Sequence, residues 1–131
     1  MIHIAYTLDK SPTHGVGLFA AENLPKGQVV YTASPVLDVE ISNEQFQRLH
    51  DNEKREIQWW GYWIEDRGVW HIDFDVSRFI NHSDNATLTQ LPDKNQAWLV
   101  TTRDVAAGEE LTQNYLEFET VDDLRKRGIA T

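Results

Sequence analysis

The apolar runs of this chain are short, and that restricts its fold more than any other feature. Val16 to Ala21 is ended by Asn23, Pro25 and Gly27, and Gln28-Val29-Val30-Tyr31 and Pro35-Val36-Leu37-Asp38-Val39 follow. Runs of this length, rich in β-branched and aromatic residues and punctuated by Gly, Pro and Asn, favour short strands over long helices. Ile2 to Tyr6 alternates loosely and predicts a first strand, with Ser11-Pro12-Thr13-His14-Gly15 as the turn after it. Asp66-Arg67-Gly68 predicts a tight turn between Trp59-Trp60-Gly61-Tyr62-Trp63-Ile64 and Val69-Trp70-His71-Ile72-Asp73-Phe74, hence a hairpin. Leu91-Pro92-Asp93-Lys94-Asn95 reads as a loop, and Ala97 to Thr101 as a late strand.

Helical signals are few. Ser42-Asn43-Glu44-Gln45 fits a capping box, and Phe46, Leu49 and Ile57 fall on one helical face. Thr120 can cap a second helix over about 120–127. Asp123 stands three residues on, Arg125 to Arg127 suit the C-terminal dipole, and Gly128 ends it. Val105-Ala106-Ala107-Gly108-Glu109 echoes Leu24-Pro25-Lys26-Gly27-Gln28, too briefly to count as a repeat. The expectation is a mainly β fold with short helices.

At 131 residues the chain is long enough for one domain, here taken as 1–131, with 40% hydrophobic residues to fill a core. Cysteine is absent from the sequence, which leaves no disulfide framework and no thiolate zinc site. The start lacks a signal-peptide pattern and no stretch has the length of a membrane span, so a soluble, cytoplasmic protein is expected. The net charge of −9 argues against direct nucleic-acid binding, which needs a basic face. It suits a basic partner, although solubility alone explains many acidic proteins.

Three stretches carry the chemistry. Arg78-Phe79-Ile80-Asn81-His82-Ser83 sets polar groups that donate and accept beside an apolar pair, and burying them requires partners. As residues alone they also fit a satisfied polar turn. Gly15-Val16-Gly17 lets a backbone come close to a ligand. With Ala20 it fits a dinucleotide fingerprint, but Pro25 and Gly27 leave no room for the helix that pattern needs. An ordinary hairpin turn is the plainer reading. In Gly108-Glu109-Glu110-Leu111-Thr112-Gln113-Asn114-Tyr115, a tyrosine at a strand end would by itself belong to the core.

Taken together and in this order, the three stretches resemble the SET-domain protein-lysine methyltransferases over about 15–118. That resemblance implies a β-clip-like fold of small sheets closed by a C-terminal pseudoknot, and S-adenosylmethionine as methyl donor. It implies that Gly15, Val16 and Gly17 meet the methionine end of the donor and that Asn81 and His82 meet its adenine and amino group. Arg78 would be a neighbouring contact, and Tyr115 the catalytic tyrosine. Phe118 is placed with the cofactor-binding residues, lying against the adenine or the channel. Tyr62 and Gln113 are placed at the substrate channel, Gln113 standing where the family often has Phe or Tyr. The usual Cys-x-Pro-Asn after Asn-His-Ser is Asp84-Asn85-Ala86-Thr87 here. The implied partner is a basic protein or peptide carrying the target lysine, and a homodimer is a further expectation. The family needs no catalytic metal.

Two other readings stand beside this one. The first is a non-catalytic SET-like module that binds a peptide. The second is a metal-dependent hydrolase using His71, Asp73 and Asp75, which share one face if the strand continues, with His82 and Asp84 near in sequence. A strand with one polar face accounts for the same residues without a metal.

Overall fold

A computed structural model describes residues 1–93 and 98–129. Lys94, Asn95 and Ala97, expected in a loop and at the start of a strand, lie outside the described residues. The strands are β1 (Tyr6–Lys10), β2 (Val16–Ala20), β3 (Val29–Thr32), β4 (Val39–Ser42), β5 (Tyr62–Ile64), β6 (Val69–Ile72), β7 (Asn81–His82), β8 (Leu88–Gln90), β9 (Trp98–Thr101) and β10 (Glu110–Gln113). The helices are α1 (Asn43–Gln47), α2 (Asp51–Trp60) and α3 (Val121–Lys126), with 3₁₀ turns at Val76–Phe79 and Tyr115–Glu117.

The larger sheet runs β1-β2-β10-β8-β9-β3, with β7 also paired to β10. The late strand β10 is therefore central. It is antiparallel to β2, with Leu111 opposite Leu18, and parallel to β7 and β8, with Gln113 opposite His82 and Leu88. Insertion of the last strand among earlier ones is the arrangement the pseudoknot requires. The core lies under this sheet, where Leu18, Val30, Leu88, Leu99, Val105 and Leu111 are buried together. A smaller sheet, β4-β6-β5, carries the expected hairpin, with Gly68 at φ 61° in its turn.

The echo between the two Gly-ending turns has a spatial counterpart. Leu24 and Val105 exchange backbone hydrogen bonds of 2.7 and 2.8 Å, which ties the two turns side by side.

Three local expectations are corrected. The first strand is Tyr6–Lys10, and Ile2 makes only an isolated bridge to Tyr31. β1 is exposed along its whole length, so no alternation marks it. Second, Pro35 to Asp38 turns rather than extends, because Ser34 N–H donates to Asp38 Oδ2 (2.9 Å) and Leu37 N–H to Ser34 Oγ (3.1 Å). Third, the helix expected from Ser42 through Ile57 is two helices. The Ser42–Gln45 capping box starts α1, and a second start follows where His50 N–H donates to Glu53 Oε1 (2.9 Å). Trp59 and Trp60 accordingly belong to α2, and Gly61 turns the chain into β5. A Cβ on Gly61 would lie 2.8 Å from the Ile57 carbonyl and 2.9 Å from that of His71, so only glycine passes there. The C-terminal helix forms with Thr120 as cap and Gly128 at φ 74° behind it.

Candidate active site

β10 ends at Gln113, and Asn114 caps the 3₁₀ turn that holds Tyr115. The pairing of β10 with β7 brings this turn beside Asn81 and His82, so two distant stretches build one site. Tyr115 N–H donates to His82 Nδ1 (3.1 Å), and its hydroxyl donates to the Ile80 carbonyl. Burial pushes the Tyr115 phenol up to about 12. The cation of Arg127 opposes that rise, and Glu119 and Glu110 add to it. The group therefore stays a neutral phenol at ordinary pH.

Because Nδ1 of His82 accepts, its proton sits on Nε2. That atom is buried without a hydrogen-bond partner, although Asp84 Oδ1 lies 3.2 Å away off the bonding direction.

Asn81 is the hub of the N-terminal loop. Its Nδ2 lies within bonding distance of the His14 carbonyl (2.9 Å), the Val16 carbonyl (3.2 Å) and Glu110 Oε1 (3.0 Å). Glu110 Oε2 accepts in turn from Ser11 Oγ (3.0 Å). This carboxylate occupies the space over Gly17, where a Cβ would come within 2.3 Å of Glu110 Oε1.

Two cavities meet at Tyr115. The outer one, of about 440 Å³, is lined by Gly15, Val16, Arg78, Asn81, His82 and Tyr115, with Trp59, Trp60 and Arg127 closing it. It falls in the size range of small-molecule sites. The inner one is only about 70 Å³ and is lined by Tyr31, Tyr62, Asp73, Gln113, Tyr115 and Phe118, among others. It is a narrow slot walled by aromatic rings. Arg78 stands 5.3 Å over the Trp60 ring and Arg127 5.6 Å over that of Tyr115, so two cations flank the junction. Arg127 also pairs with Glu119 and donates to the Trp59 carbonyl (3.0 Å).

Most residues singled out from the sequence converge on these cavities. Gly17 does not line the outer cavity; its missing side chain makes room for Glu110. Phe118 lines the inner cavity, 5.1 Å from Tyr62 and 5.5 Å from Tyr115 by ring centroids, rather than the outer one. Gln113 is buried at the inner cavity and donates to Glu117 Oε2 (3.0 Å).

The set His71, Asp73 and Asp75 is corrected. β6 ends at Ile72, so the alternation does not reach Asp75. Asp75 instead caps the 3₁₀ turn at Ser77 and accepts from Ile2 N–H (2.7 Å). His82 and Asp84 lie in the other group of residues, around Tyr115. Asp38 takes the place of Asp75 beside His71 and Asp73. Burial alone would lower the pKa of His71, but the hydrogen bonds of Asp73 and Glu40 and the charges of Asp73 and Asp38 outweigh it and raise it. Tyr31 joins the group by donating to Asp73 Oδ1 (2.6 Å). No sequence motif gives Glu110, Tyr31 or Arg127 a role in the site, where the fold nevertheless brings them.

The SET domain family model matches residues 15–116, and the chain belongs to that family. Two relatives are a histone-lysine N-methyltransferase EZH2 of Chaetomium thermophilum and an H3 lysine-4 specific histone-lysine N-methyltransferase of Schizosaccharomyces pombe. The first is 31% identical over 77% of this chain and 7% of its own length. The second is 32% identical over 87% of this chain and 13% of its own. The chain thus spans a small part of the curated relatives it matches. A solved structure, ctPRC2 in an autoinhibited conformation bound to S-adenosylmethionine, superposes with a TM-score of 0.64 at 30% identity, covering 95% of this chain and 17% of that one.

Proposed function

We propose that this chain transfers a methyl group from S-adenosylmethionine to the ε-amine of a lysine in a basic protein. The observation that carries the reading is the meeting of a ligand-sized cavity and a narrow aromatic slot at one tyrosine hydroxyl. The outer cavity fits the donor by its chemistry as well as its size. It offers loop backbone at Gly15 and Val16, the buried Nε2 of His82, and the cations of Arg78 and Arg127 for a carboxylate. When bound, S-adenosylmethionine supplies an electrophilic methyl on a sulfonium. The chain's part is alignment, because in-line displacement depends on the approach angle. The Ile80 carbonyl fixes the Tyr115 hydroxyl at the junction. Tyr62, Tyr31 and Phe118 keep water from the slot and hold an alkyl chain straight. Burial between the aromatic walls of the slot disfavours an ammonium at the junction and so favours the neutral amine that attacks.

What supports a basic substrate is a groove of about 930 Å³ beside the slot, bounded by Trp63, Trp70, Glu65, Asp66, Glu117 and Asp123. It adjoins the inner cavity at Phe118, Glu119 and Arg127. The two relatives are named for histone lysines, so histone H3 peptides are the first substrates to try. The polar Gln113 at the slot makes the number of methyl groups a question for mass spectrometry.

The test is calorimetric titration with S-adenosylhomocysteine, followed by mass spectrometry of peptides incubated with S-adenosylmethionine. Binding weakened at least about tenfold by Asn81→Ala, with a mass gain on lysine, is the expected result. Peptide binding without cofactor binding would replace the reading with a peptide-binding module.

A further inference from the structure

The side chains of His71, Asp38 and Asp73 converge at the base of the small sheet, behind the inner cavity. His71 Nδ1 faces Glu40 Oε2 at 3.2 Å, so Nδ1 carries the proton and donates. Nε2 then faces two acceptors, Asp38 Oδ2 at 3.3 Å and Asp73 Oδ1 at 3.2 Å. A neutral imidazole would turn its lone pair toward two carboxylates there, so the arrangement calls for a cation at its centre. We propose that Asp38, His71 and Asp73 bind a divalent metal ion of the zinc type, a structural site that braces one wall of the inner cavity.

The geometry accommodates a metal in place of a proton on His71. Zinc bonds of about 2.0–2.2 Å at tetrahedral angles set ligand atoms roughly 3.3–3.6 Å apart, close to the two separations seen. The surrounding bonds have the character of a metal site's outer shell, in which the ligating histidine donates to a carboxylate and the ligating carboxylates are themselves held. Glu40 takes the first role. Asp38 is fixed by Ser34 N–H (2.9 Å) and Phe74 N–H (3.0 Å), and Asp73 by Tyr31 OH (2.6 Å). The three side chains are only 6%, 3% and 13% exposed, unlike a solvated acidic patch. Charge agrees. Asp38, Glu40 and Asp73 with Arg67 and a protonated His71 still carry one net negative charge, whereas a divalent ion with a neutral imidazole leaves none. The ion would join β4, β6 and, through Asp73 and Tyr31, the large sheet, setting the wall of the slot.

The test titrates zinc chloride into dialysed protein by calorimetry in two buffers of different ionisation enthalpy. One zinc per chain with proton release is expected, weakened at least about tenfold by Asp38→Asn and unchanged by His50→Gln, an exposed histidine. Cobalt chloride added to the unmodified protein gives a second reading that needs no variant: an intense tetrahedral visible spectrum is expected. No zinc uptake by folded protein would overturn the proposal in favour of a buried imidazolium. Uptake insensitive to Asp38→Asn, or a weak octahedral cobalt spectrum, would overturn it as adventitious surface binding.

Discussion

The hydroxyl of Tyr115 donates to the carbonyl of Ile80, the residue immediately before Asn81. One hydrogen bond thus fixes the tyrosine beside the start of the strand that carries Asn81 and His82. Tyr115→Phe removes that anchor and the polar atom at the cavity junction. Methyl transfer measured with a radiolabelled donor is expected to fall about 100-fold. Affinity for S-adenosylhomocysteine should stay within about threefold, since the hydroxyl meets the junction and not the body of the outer cavity. An unchanged rate would remove Tyr115 from the reaction.

Gly17 and Glu110 form a coupled pair. Gly17→Ala drives a Cβ to 2.3 Å from Oε1 of Glu110, which Asn81 holds in place while Ser11 holds the other carboxylate oxygen. Urea denaturation should show a loss of about 1–3 kcal/mol. Adding Glu110→Ala should recover part of that loss, and a double-mutant cycle measures the coupling. Strict additivity would show that the clash is relieved elsewhere.

The buried imidazole makes stability depend on pH. In metal-free protein the folded-state pKa of His71 lies above its unfolded value. Its contribution is fully present below about pH 6.5 and is lost as pH rises through the higher folded value. Denaturation midpoints in chelator should fall across that window, and His71→Gln should flatten the fall. A midpoint that rises there for the parent protein but not for His71→Gln would reverse the sign assigned to this group.

The groove beside the slot makes a separate claim about charge. Glu65 and Asp66 are exposed and form no part of the two cavities. Glu65→Lys with Asp66→Lys should raise KM for a basic peptide several-fold, mainly at low salt, and leave kcat alone. An equal effect at high salt would assign the change to shape instead.

Where the sequence was readable, the signal was local. Gly68 in its turn, the Ser42–Gln45 box and the Thr120 cap each act within a few residues, and each formed as expected. The division of the first helix was not legible, because Leu49 keeps the apolar spacing across a break made by the His50–Glu53 bond. Alternation predicts Asp75 on the face of His71 only if the strand continues, and the strand stops at Ile72. The motif residues were legible, but their joint geometry was not. Ser11 and Glu110 are 99 positions apart, and nothing near either announces the other. The same holds for Tyr31 and Asp73, which stand 42 positions apart and meet only in the fold.

The central position of β10 has a consequence for how the molecule is made. Its partners β2, β7 and β8 come from early and middle parts of the chain and cannot complete their ladders until residues 110–113 arrive. Folding dominated by such distant pairings is slow, on the order of milliseconds to seconds. While it waits, the chain exposes the open edges of β2 and β8, which invite pairing with other molecules. A polypeptide stopped after Gly108 should collapse into aggregates rather than a smaller folded unit, so the segment that brings in the tyrosine also ends the chain's exposure to self-association.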